Sequence, residues 1–114
     1  MHRWQISFLV FIALTTLHGV GCASYAAARL YVRGTQELDR GEIAQAIETL
    51  EAAAAHTPQA SEIQNHLGIA YREAGENEKA LLVFRRAVEL DCTNEAAQRN
   101  LKLVEQSERS EGGP

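Results

Sequence analysis

Two thiols and two histidines are the side chains of this chain best suited to chemistry outside its first 20 residues. Cys22 closes an apolar N-terminal stretch, directly after Gly21. Cys92 sits in a polar run, Asp91-Cys92-Thr93-Asn94, that reads as a turn. A thiol can be acylated, oxidised or bound to a metal, and each outcome depends on neighbours and compartment. His56 and His66 stand ten residues apart, and they are not at ligand spacing with each other or with a carboxylate pair that stands out. There is no glycine-rich phosphate loop, no nucleophile elbow and no metal motif. The expectation is a chain without catalytic residues, metal or cofactor, and not an enzyme. The chemistry concentrates at Cys22.

The segment before Cys22 explains why. Arg3 supplies a short basic start, Ile6 to Leu17 is apolar apart from Ser7, Thr15 and Thr16, and small residues follow. Charge, apolar core and small residues at the cut form a secretory signal, here 1–21. The apolar run is short for a transmembrane span. Gly19-Val20-Gly21-Cys22 resembles the lipobox of bacterial lipoprotein signal peptides. In that family the cysteine is lipidated and becomes the first residue of the mature protein, which the resemblance implies for Cys22. Two alternatives stay open. Trp4 to Ala28 lacks Asp, Glu, Lys and Arg, so the segment could remain as an uncleaved anchor. Cleavage near Ser24-Tyr25-Ala26 would instead release a soluble form. All three routes send the remaining chain across a membrane. Ala23 is not the aspartate of an inner-membrane retention signal, so by resemblance the destination in a diderm bacterium is the outer membrane, facing the periplasm.

The elements that follow repeat themselves. An offset of 34 residues carries Gly34 onto Gly68, Gly41 onto Gly75, Ala46 onto Ala80, Leu50 onto Phe84 and Ala53 onto Ala87. A fixed period of this size marks a repeat architecture. Helical patterning from Ala26 or Ala27 is interrupted at Asp39-Arg40-Gly41 and resumes from Glu42 to Ala55. Thr57-Pro58 stops it, since proline lacks the N–H that a helix interior needs. Ser61 with Gln64 reads as a capping box opening the next helix. Helices near 78–90 and 95–106 follow, and the polar, Gly-containing tail 107–114 is expected to be disordered.

Leu67-Gly68 with Tyr71, then Ala80 with Phe84 and Ala87, resembles the L-G-x-x-Y and A-x-x-x-F pattern of tetratricopeptide repeats. Gln64 takes the family tryptophan position and Cys92 the closing proline. In the first unit Gly34, Ala46, Leu50, Ala53 and Pro58 fit, while Arg33 replaces the usual leucine and Glu37 the usual tyrosine. The resemblance covers 27–106 and implies an all-α fold. A tether 22–26 leads into a short α-solenoid of two antiparallel helix pairs, 27–60 and 61–94, closed by a capping helix 95–106. Gly34, Ala46, Leu50, Ala53, Leu67, Gly68, Tyr71, Ala80, Phe84 and Ala87 are its packing positions. A glycine inside a helix costs roughly 0.5–1 kcal/mol against alanine, so two at one register imply a close helix approach.

The resemblance also implies a concave, partner-binding groove on the first helices of the units. Tyr31, Thr35, Leu38, Glu62, Asn65, Ile69 and Arg72 fall on it, with Ala28, Asp39 and Glu73 beside them. A peptide or helix of another protein is the implied ligand. Tyr31 and Thr35 stand where a chaperone-tail carboxylate clamp needs other residues, so that specialisation is not expected. With 15 Asp+Glu against 11 Lys+Arg and no basic stripe along the chain, nucleic acid is disfavoured as a partner. The function expected is a membrane-tethered adaptor or assembly factor in the bacterial cell envelope. The alternative is a structural subunit packing through the uncapped edge near Ala27. Two units and a cap lie near the lower limit for a stable array, so support from a partner, the membrane or self-association is expected. Cys92 is read as a small turn residue, with an interchain disulfide, or a Cys22–Cys92 bond in an unlipidated form, as alternatives.

Overall fold

The structure, a computed structural model, describes residues 2–113, with side chains from Gly21 onward. Expectations that rest on the side chains of the signal segment therefore lie outside the described residues. Five helices follow one another: α1 (His2–Asp39), α2 (Ile43–His56), α3 (Ser61–Glu73), α4 (Asn77–Leu90) and α5 (Glu95–Glu111). Every regular element among the described residues is a helix. α1 packs on α2, α3 on α4, and the two pairs join where α2 meets α3; α5 closes the array against α4 and α3.

The repeat is visible in the turns. Gly41 and Gly75 have φ of 74° and 77°, a left-handed conformation that suits glycine. Around Gly41, the Glu42 N–H donates to the Glu37 carbonyl and the Gly41 N–H to that of Leu38. Around Gly75, Glu76 donates to Tyr71 and Gly75 to Arg72. These are two Schellman closures in the same register, each satisfying carbonyls that the helix end leaves unpaired.

The packing is equally doubled. A Cβ built on Gly34 would lie 2.6 Å from Cγ of Leu50, and one on Gly68 would lie 2.5 Å from the Phe84 ring. Each glycine thus lets the second helix of its own unit approach with its largest side chain. Leu50, Phe84 and Val104 are the largest fully buried side chains, and Ala46, Ala53, Ala80 and Ala87 are fully buried beside them. Leu67 and Tyr71 complete the main core across the α2–α3 seam. Burying each large side chain contributes roughly 1.5–3 kcal/mol.

Three local expectations are corrected. The stretch 22–26 is not a separate tether: α1 runs through it without a break, because Cys22 to Ala28 contains neither proline nor glycine. Ser61 does not cap α3. Ala60 takes the cap position with extended backbone and no side-chain bond. The Ser61 hydroxyl instead donates to the Ala87 carbonyl at 2.9 Å, and Gln64 Nε2 to the Pro58 carbonyl at 3.3 Å. The tail is helical to Glu111, with Gly112 as its C-cap. Its serines turn their hydroxyls onto the helix's own backbone, Ser107 donating to the Val104 carbonyl and Ser110 to that of Ser107. Polar composition did not stop the helix, because Glu and Arg are themselves good helix formers.

Candidate protein-binding face

The first helices α1, α3 and α5 present one continuous face, tied together by side-chain contacts. The Tyr31 ring meets the His66 ring edge-on, with centroids 5.2 Å apart. His66 Nδ1 lies 3.2 Å from the Tyr31 hydroxyl and 3.0 Å from the Glu62 carbonyl. That nitrogen serves one of them at a time: protonated it donates to Glu62, bare it accepts from Tyr31. Burial, and then the negative charge of Glu62, raises the Tyr31 phenol above its ordinary value. Further along, Arg72 Nη1 donates to Asn100 Oδ1 at 3.5 Å, and Asn100 Nδ2 donates to Asn65 Oδ1 at 2.9 Å.

Between α1 and α3 this face opens into a cleft of about 500 Å³ lined by Thr35, Leu38, Asp39, Gly41, Ile43, His66, Ile69 and Glu73. Its floor is apolar where the half-buried Leu38 and Ile69 lean on the core. Its rim is acidic. Glu73 lies 3.4 Å from Arg72, and Asp39 makes no ion pair among the described residues. The arrangement suits an apolar side chain on the floor with a cationic group at the rim. A second cleft, of about 520 Å³, lies at the α3–α4 turn against the end of α5. It is lined by Glu76, Glu78, Glu108, Glu111 and the Glu76–Lys79 ion pair. None of its lining side chains is aliphatic or aromatic.

The cleft gathers Thr35, Leu38 and Ile69 from the expected groove set and adds His66, which sequence reasoning left out. Tyr31 and Arg72 lie on the same face, engaged with His66 and Asn100. Glu62 is exposed beside them. Asn65 is different. It is only 2% exposed and is spent on Asn100, so it holds α5 in place and offers nothing to a partner. Ala28 also leaves the set, since it lines a shallow cleft with Arg29, Val32, Arg33 and Gln36 on another side of α1. Leu103, 55% exposed, was missed. One more step of 34 from Ile69 reaches it, so it extends the line Thr35–Ile69 onto α5. Cys22 and Cys92 are both exposed free thiols. Among the described residues no group of three or more His, Cys, Asp or Glu could hold a metal ion.

A family model described as tetratricopeptide repeat matches residues 25–97, more than half of the chain. The chain belongs to the tetratricopeptide repeat family. No curated protein matches it. As a tetratricopeptide repeat protein it carries a fold that serves protein–protein interaction, built here as a short all-α solenoid.

The two units also differ at Glu37, which takes the register of Tyr71. Tyr71 is buried, and its hydroxyl donates to Glu51 Oε1 across the seam between the units. Burial first, and then the bond and charge of Glu51, raise its phenol pKa. Glu37 is 3% exposed and accepts from Arg33 Nε at 2.8 Å, while its Oε2 has no hydrogen bond of regular geometry. The Thr49 hydroxyl, and to a smaller degree Arg33 and Arg40, hold its carboxyl below the usual carboxylate range against the opposing effect of burial.

Proposed function

We propose that this protein is a non-enzymatic adaptor of the bacterial cell envelope, held at a membrane through lipidated Cys22, that binds a segment of another protein on the α1–α3–α5 face. The observation that carries the binding site is the cleft with Leu38 and Ile69 on its floor and Asp39 and Glu73 at its rim. The partner segment fitting it carries an apolar anchor next to a lysine or arginine. In a helix-in-groove mode those residues would stand three or four apart. Leu103 would take a second apolar residue one unit further along.

The tether reading is supported by the lipobox-like Gly19-Val20-Gly21-Cys22 and by the exposure of the Cys22 thiol. A lipoprotein cysteine carries more than one acyl chain, and two membrane signals give stable anchoring where one gives marginal binding. In a diderm bacterium the proposed address is the outer membrane, facing the periplasm.

The test is copurification of a C-terminally tagged full chain from mildly solubilised native membranes, with crosslinking and mass spectrometry. The same sample reports the mass at Cys22. A stoichiometric partner that is lost with Ile69→Glu and kept with Leu82→Glu, on α4, supports a binding face. Retention of the partner with Ile69→Glu would overturn it in favour of a subunit packed by its edge.

A further inference from the structure

Charges that look interspersed along the chain sort by face once it is folded. Cys22, Arg29, Arg33, Gln36 and Arg40 follow one another at intervals of 7, 4, 3 and 4. At 3.6 residues per turn the first four form a stripe about 60° wide and about 21 Å long on α1, and Arg40 follows in the turn just beyond Asp39. All five are exposed, Arg33 by 68% and Arg40 by 55% of the side chain. Tyr25, 68% exposed, flanks the stripe with its ring 6.0 Å from the Arg29 guanidinium, and Val32, 53% exposed, lies along it. From Cys22 to Gln36 the sequence holds no carboxylate; Arg33 reaches Glu37 at 2.8 Å and Arg40 reaches Glu42 at 3.0 Å, so Arg29 is the guanidinium of the stripe that makes no ion pair among the described residues.

The register shows what this edge is not. Arg29, Arg33 and Gln36 stand where α3 has Ile63, Leu67 and Ala70, the residues it buries. In α3 that side meets the preceding unit; in α1 the same side carries two guanidinium groups and an amide. An aliphatic helix face packed there, as α3 receives from the preceding unit, would strip water from both guanidinium groups, of which only Arg33 has a carboxylate of its own chain, Glu37.

We infer that this edge of α1 lies along a bilayer surface containing anionic phospholipid, so that the domain rests on its side on the membrane. The proposal rests on the lipid-tether reading, because acyl chains on Cys22 would pin one end of the same stripe. Arg29 and Arg33 then reach phosphate oxygens, which guanidinium groups bind bidentately. Tyr25 and Val32 sit at headgroup level, where an amphipathic ring is favoured. The acidic cleft of the binding face is turned sideways, clear of the lipid.

The test uses the full, lipidated chain in vesicles, with Cys92→Ser and one fluorophore at Val32→Cys, or at Leu82→Cys as the control on α4. Quenching by lipid-borne nitroxide is read in phosphatidylglycerol-containing and in pure phosphatidylcholine vesicles. Strong quenching at position 32 and little at position 82 is expected, only with the anionic lipid, and weakened at about 0.5 M salt. Arg29→Glu should weaken the surface contact severalfold, since each arginine near such a surface is worth roughly fivefold in binding. Arg29 is exposed, so this variant should keep its helical circular dichroism, and Arg40→Gln gives an independent reading. Equal quenching at 32 and 82 in protein that still floats with the vesicles overturns the proposal and leaves the tether standing. Protein that does not float at all overturns both. Burial of position 32 that depends on protein concentration and not on lipid assigns the edge to a second copy.

Discussion

α1 and α3 occupy the same place in their units, yet the second is buried on more sides. α3 buries Ile63, Gln64, Asn65, Leu67, Gly68, Ala70 and Tyr71 between its neighbours. Over the equivalent stretch α1 buries only Ala27, Gly34 and Glu37. The difference follows from position in the array. A first helix in the middle of a solenoid is clamped from before and behind, and one at the edge is not. The sequence records this as a change of residue type at fixed register, from leucine and isoleucine to arginine.

Removing the large side chains should break the comparison most strongly. Phe84→Ala should cost about 3–5 kcal/mol and Leu50→Ala about 2–5, with the lower part of that range expected for Leu50 beside the less enclosed α1. Urea unfolding of the two variants in the same membrane-mimetic medium tests the order. A greater loss for Leu50→Ala would mean that the first unit is the better packed.

Overpacking comes next. Gly68→Ala forces a methyl against the Phe84 ring and should cost about 1–3 kcal/mol before the gain of roughly 0.5–1 from replacing a helical glycine. Gly34→Ala should cost less, since the branched end of Leu50 can turn aside where an aromatic ring cannot. A melting temperature raised above that of wild type in Gly68→Ala would remove the close approach as the reason for that glycine.

Asn65→Ala should cost about 1–3 kcal/mol by leaving Asn100 without its acceptor, while Tyr31→Phe, at the matching register of α1, should cost under about 1. Hydrogen exchange in α5 is the sharper reading, because only the Asn65 variant should loosen it.

The smallest effect concerns acid. The Glu37 carboxyl is depressed in the folded chain, so its contribution is present above its ordinary value of 4.5 and is lost as pH falls through the lower folded value. Tyr71 at the same register stays neutral throughout that range. Acid should therefore loosen the first unit before the second, as read by amide exchange. Glu37→Gln should flatten the dependence, and an unchanged slope would show that Glu37 is not its source.

Much of the fold was legible because packing repeats where chemistry does not. The doubled positions Gly34/Gly68, Ala46/Ala80, Leu50/Phe84 and Ala53/Ala87 are all buried. They reveal themselves because close helix approach admits few residue types. Helix ends were less legible. The Ser61 hydroxyl had a carbonyl from a distant helix within reach, and a local capping rule knows nothing of Ala87. Of the residues that line the cleft, register alone had placed Thr35, Leu38, Asp39, Ile69 and Glu73 on the groove. Asn65 misled because polarity at a groove position looks like a ligand contact until its partner, 35 residues away, is known. The basic edge of α1 was hidden because its arginines are seven, four and three residues from their neighbours in the stripe, invisible to a linear count of charge.

The Tyr71–Glu51 bond has a consequence for how such a chain could grow. Duplicating residues 61–94 in tandem would reproduce every contact internal to the unit, including the one between Gly68 and Phe84. At the new seam the copied Tyr71 would face Arg85, which stands 34 residues beyond Glu51. A phenol that donates to a carboxylate would have to turn and accept from a guanidinium. A chain lengthened by such a duplication would need a compensating change at residue 85.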